Sequence, residues 1–173
     1  MLPFFLNTIS FITLITASLI KGKHIKTILL LVFSSNFLTA TSYLIVGGIN
    51  GAATCYLGAI LSIINFFANK KFSKIPVWLN VLYSIIFIVT NIIVSSSLSW
   101  LGLIVIFASL SFVMAIGQEN GKMYRFWTII NIALWCLYDF LAEQYSPLLM
   151  HIAILIFTLI GIIIHDFKYK KSQ

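Results

Sequence analysis

Acidic residues are almost missing from this chain. Four of its 173 positions are Asp or Glu, and charged residues of both signs make up 9%. A soluble domain carries roughly a quarter. That shortage excludes a water-facing globule, because there is too little polar side chain to cover one. Cysteine is scarce as well. Cys55 and Cys136 each stand among apolar neighbours, which argues against a disulfide framework or a thiolate metal site and for plain burial. No proline falls in the middle of an apolar run: Pro3, Pro76 and Pro147 stand at run starts, where proline costs little. There is no long polar segment, so no extramembrane domain is expected. The first apolar run lacks a basic leader and a small-residue cleavage site, and is read as a mature span.

What is present is apolar. Hydrophobic residues are 61% of the chain and mean hydropathy is +1.06. A membrane-crossing helix needs about 17–25 such residues. Seven segments meet or approach that length: Leu2–Ile20, Thr27–Val46, Ala52–Ala68, Pro76–Ile93, Trp100–Ile116, Tyr124–Ala142 and Leu148–His165. The separators KGKHIK, GGING, NKKFSK, SSSLS, GQENGK and EQYSP carry turn residues. The expected fold is therefore an all-α membrane protein with seven transmembrane helices in a single polytopic domain.

The eleven basic residues orient it. Lys21, Lys23 and Lys26 follow the first span, and Lys70, Lys71 and Lys74 the third. Lys122 and Arg125 follow the fifth; Lys168, Lys170 and Lys171 follow the seventh. With every cluster on one side, the positive-inside rule predicts an outer N-terminus and a cytoplasmic C-terminus. The net charge of +7 is then a collar for anionic lipid headgroups, and nucleic acid is not needed to explain it. Glu119 and Asp166 read as solvated counter-charges within that collar. Trp78 and Trp100 read as interface anchors.

Spans one to three and five to seven share an order: span, basic loop, span, short outer turn, span, basic end. An offset of 95 places Asn36 on Asn131, Tyr43 on Tyr138, Tyr56 on His151 and Phe72 on Phe167. The expectation is a parallel 3+1+3 repeat. The triplets cover about 2–72 and 100–167, with a linker helix at about 76–95.

The run SSNFLTATSYLIVGGINGAATCYLGAILSIINFFANKKF has a polar residue, an aromatic, a Gly-rich turn and a Gly-containing helix with a basic end. It resembles the second and third helices of the YgjV family of bacterial inner-membrane proteins. YRFWTIINIALWCLYDF resembles a later helix of that family. The resemblance implies a location in the bacterial inner membrane. The topology and the Trp-bearing sixth span are also similar, more remotely, to SWEET sugar carriers and PnuC-type vitamin-precursor transporters. None of the three prolines precedes a glutamine, so the Pro-Gln hinge of SWEET carriers is missing here.

Polar side chains inside spans must face partners or water. On the sixth span Asn131, Trp135, Tyr138 and Asp139 stand at i, i+4, i+7 and i+8, on one helical face. Asn36, Ala40 and Tyr43 form the matching stripe on the second span, and Gly58, Ser62 and Asn65 a stripe on the third. His151 lies at a depth comparable to Asp139. One reading is a central cavity. Asn36, Tyr43, Asn131, Trp135 and Tyr138 would bind a planar or sugar-like solute, and Asp139 with His151 would couple an ion or proton. The other is plain structure: asparagines as interhelical glue, aromatics as interface anchors, and Asp139 reaching the outer water.

No nucleophile–base constellation, Walker motif or dinucleotide fingerprint appears, so no enzyme and no cofactor is expected. The three histidines lie at different depths and do not share a metal. The expected function is a small-solute transporter or facilitator. The alternative is a non-transporting membrane subunit, scaffold or small-ligand receptor. Expected partners are membrane lipids and a small neutral or weakly cationic solute; a homo-oligomer stays open.

Overall fold

A computed structural model describes residues 1–47, 49–71, 75–95 and 100–167. Among the described residues the fold is all-helical. Seven α-helices follow in order: α1 Leu2–Leu19, α2 Ile25–Ile45, α3 Ile49–Lys71, α4 Val77–Ser95, α5 Trp100–Ile116, α6 Gly121–Leu141 and α7 Tyr145–Ile162. A 3₁₀ turn at Gly22–His24 precedes α2, and a π turn at Ile163–Phe167 ends the described chain. Lys74, Lys168, Lys170 and Lys171 of the basic clusters, and Phe72 of the repeat pairing, lie outside the described residues.

Four stretches are long and apolar enough to cross a membrane: Leu2–Leu19, Gly22–Ile45, Gly51–Asn69 and Pro147–Asp166. Val77–Ile93 and Trp100–Ile116 are shorter apolar helices. The sixth helix carries Lys122, Arg125, Asn131 and Asp139 and meets neither description. It also starts three residues before the expected Tyr124, because Asn120 caps it: the Asn120 side-chain oxygen accepts from the Met123 amide at 2.9 Å. Similarly α7 begins at Tyr145 and takes Pro147 into its first turn, where its missing N–H leaves no helical bond unmade.

The helices form a closed circuit. α1 packs on α2 and α2 on α3; α5 packs on α6 and α6 on α7. α7 returns to α1, while α4 lies against α5 with lighter contact on α3. Large apolar side chains such as Phe4, Phe67, Phe107, Phe140 and Leu149 point outward, as a lipid-facing surface requires.

The apolar core is gathered at one end, the end that carries Lys21, Lys23 and Lys122. Ile25, Ile28, Leu29, Leu61, Leu79, Tyr83, Val113, Ile116 and Tyr124 belong to it. Polar staples hold it. The Asn65 amide nitrogen donates to the Ile116 carbonyl at 2.9 Å, and Tyr83 Oη donates to Asn65 Oδ1 at 3.0 Å, joining α3, α4 and α5. Tyr83→Phe therefore strands the Asn65 oxygen. The expected loss is about 1 kcal/mol, read from thermal unfolding in detergent.

The expectation for Asp166 is overturned at the same end. Its side chain is only 8% exposed and that of Arg125 is 0%. The guanidinium grips both carboxylate oxygens, Nε to Oδ2 at 3.0 Å and Nη2 to Oδ1 at 2.5 Å. A third donor, Nη1, reaches the Ile20 carbonyl at 2.9 Å. His165 Nε2 meets the Leu19 carbonyl at 2.8 Å. The ends of α1, α6 and α7 are thus tied by an interior ion pair and not dotted with solvated counter-charges.

Candidate functional site

Away from that plug the helices part around a cavity of about 450 Å³, with walls drawn from all seven. Drug-sized ligand pockets run from roughly 300 to 1,000 Å³. Its apolar wall includes Phe11, Phe87, Phe112 and Ile154. Asparagine, serine, threonine and histidine side chains interrupt that wall.

Four of the five predicted solute-binding residues line it: Asn36, Tyr43, Asn131 and Trp135. Tyr138 does not. Its ring stands edge-on to Trp135, with centroids 5.5 Å apart at 84°, and supports the indole from the side. The stripe expected on the second span is turned by one residue. Ala40 is fully buried in packing, and Thr39 and Ser35 take the cavity side with Asn36 and Tyr43. On α3, Gly58 lines the cavity, whereas Ser62 bonds its own helix at the Gly58 carbonyl and Asn65 belongs to the staple below.

The asparagines combine both readings offered by the sequence. The Asn131 side-chain amide donates to the Ala108 carbonyl of α5 at 2.7 Å, and that of Asn36 to the Val32 carbonyl at 3.0 Å. A carbonyl only accepts, so each amide must turn its NH₂ toward it. The Oδ1 atoms are left without a hydrogen-bond partner among the described residues. Each asparagine is tied down by its donor and offers an acceptor.

Asp139 does not reach the outer water. It is 2% exposed and lies behind His151, whose Nδ1 stands 2.6 Å from Asp139 Oδ2. His151 lines the cavity, and its ring stacks on Trp135 with centroids 6.0 Å apart at 18°. An ionised carboxylate accepts only, so Nδ1 carries the proton of that bond and Nε2 is the ring's other nitrogen. No partner meets Nε2 among the described residues.

One cluster escaped sequence reasoning. Ser10 Oγ meets Ser35 Oγ at 2.8 Å and Thr39 Oγ1 at 2.7 Å, and donates to the Ser35 carbonyl at 2.9 Å. All three hydroxyl residues line the α1–α2 wall. The available signal was the i, i+4 spacing of Ser35 and Thr39 beside Asn36.

A family model for a bacterial inner membrane protein, Imp-YgjV, matches residues 1–168. No curated protein and no solved structure matches the chain.

Proposed function

The chain belongs to that family of bacterial inner-membrane proteins, and from this footing we propose that it is a small-solute transporter or facilitator. The observation that carries the reading is the cavity: polar groups and an aromatic wall around an open space, with an apolar plug and an interior ion pair at the basic end. The arrangement has the form of a carrier closed at its basic end.

All seven helices are taken as spans, with the basic end in the cytoplasm, since Lys21, Lys23, Lys122 and Arg125 gather there. The two triplets act as parallel repeats that rock about the cavity. Both middle helices end on a left-handed residue, Gly47 at φ 80° and Glu143 at φ 56°, which supports the pairing of α2 with α6. The solute is small, and neutral or weakly cationic, because no Lys or Arg among the described residues lines the cavity.

A cysteine at Asn131, with Cys55 and Cys136 replaced by Ser, is expected to react with a water-soluble maleimide applied from outside. Proteoliposomes should accumulate a solute from a panel of amines, polyols and nucleosides. Trp135→Ala and Asn131→Ala should each abolish that uptake while inserting normally. No labelling, with crosslinking from Asn131→Cys into a second polypeptide, would instead identify a non-transporting subunit.

A further inference from the structure

Three acceptor atoms on the cavity wall have no partner among the described residues. Asn36 and Asn131 each give one amide N–H to a main-chain carbonyl, which leaves Oδ1 as an acceptor. His151 has spent Nδ1 on Asp139 and presents Nε2. The hydroxyls of Ser10, Ser35 and Thr39 bond one another. Unpaired acceptors suit a ligand that brings donors.

Charge points the same way. Among the described residues the carboxylate beside the cavity is Asp139, 2% exposed, and no Lys or Arg stands on the walls. With His151 neutral the pair holds a net negative charge in low-dielectric surroundings, which a cation offsets. The wall beside it is aromatic: Trp135, stacked on the imidazole, with Tyr43 across on α2. Aromatic faces favour cations.

We infer that the cavity binds a protonated amine at His151 Nε2 in exchange for a proton. The exchange balances. Nε2 has one lone pair, which holds either a proton or the N–H of an alkylammonium. When the amine arrives the proton leaves to water, Nδ1–H stays on Asp139, and the net charge of the filled site is unchanged. The inference rests on reading the cavity as a solute site and narrows its solute to a primary or secondary ammonium.

The other groups that face the pair do not replace it in this role. On α6 they are Cys136 and Tyr138, on α2 Tyr43, and on α3 Cys55. Each is neutral in its protonated form. α1, α4 and α5 present Asn7, Phe87 and Ser109 to the cavity, which do not titrate. Beyond His151, α7 brings Pro147, Met150 and Ile154.

The test is calorimetric titration of the full chain in nanodiscs with benzylammonium, benzyltrimethylammonium and benzyl alcohol. Benzylammonium should bind, and the quaternary and neutral probes at least tenfold more weakly, having no N–H⁺ to give. Below the pH at which its affinity levels off, that affinity should fall about tenfold per pH unit, with one proton released per site. His151→Gln, which keeps an acceptor but takes up no proton, should bind more weakly and lose both the pH dependence and the proton release. Asp139→Asn should weaken binding at least tenfold. Absent benzylammonium binding, equal binding of benzyl alcohol, pH-independent affinity in the unaltered chain, or pH dependence surviving in His151→Gln would each overturn the site. Binding with proton release but no passage across a vesicle membrane leaves this site standing and removes the transport reading. Uptake of a neutral solute without amine binding does the reverse.

Discussion

Replacing Asp166 by alanine is expected to destabilise the bundle by about 3–5 kcal/mol, the range for stripping one partner from a buried ion pair. The size follows from what remains. Arg125 is fully buried, cannot shed its charge, and would keep only the Ile20 carbonyl for its guanidinium. A lysine at 125 would not restore a bidentate grip, because its ammonium is a point charge. The pair Arg125→Met with Asp166→Leu should regain most of the loss, since apolar replacement of a buried pair is often neutral. Thermal unfolding in detergent reads all four proteins. If Asp166→Ala costs no more than Tyr83→Phe, the pair is hydrated and its interior role is wrong.

Under the proposed transport function the same pair would also have a place in the working cycle. It joins the basic ends of α6 and α7 to the end of α1, and so closes the proposed cytoplasmic side of the cavity. A carrier must break such a tie once per turnover. Interior ion pairs suit this use: strong when assembled, replaceable by water when parted.

Several of these features were legible in the sequence, for physical reasons. Seven apolar runs separated by Gly, Ser and Lys locate the helices because apolar length decides them. Asn36 and Asn131 stand out because an amide in an apolar run must find a partner. Asp139 and His151 stand at one depth on either side of a short turn, and they do meet. Other features were not legible. Ser10 reads no differently from Thr13 or Thr16, whose hydroxyls only bond back to their own helix at Ile9 and Ile12. What singles out Ser10 is its crossing to Ser35 and Thr39, which no local pattern records. Arg125 and Asp166, 41 residues apart, look like ordinary collar charges until α7 folds back along α6. The misplacement of Ala40 is a matter of rotation: one residue turns a helix by about 100°, enough to exchange a cavity wall for a packed seam.

Gly161→Ala is expected to be the most damaging single-methyl addition described for this chain. A Cβ at 161 would run into the Ser18 carbonyl oxygen and stand 3.3 Å from Arg125 Cδ. The obstacle is helix backbone, which does not swing aside, so α1 and α7 must separate. Overpacking of this kind costs about 1–3 kcal/mol where side chains yield, and more where they do not. The seam depends on small residues: Ser18 on α1 faces Gly161, and Thr158 one turn away bonds Ser18 Oγ at 3.1 Å. Gly47→Ala is the control. Gly47 sits at φ 80° with nothing within 4 Å of an added Cβ, so only its left-handed backbone objects, at about 1–2 kcal/mol in the turn after α2. Equal losses of thermal stability in the two variants would mean that α1 and α7 do not cross this closely. A larger loss at 161, with Arg125 loosened by the same wedge, ties the closure of the ring to the ion pair beneath the cavity.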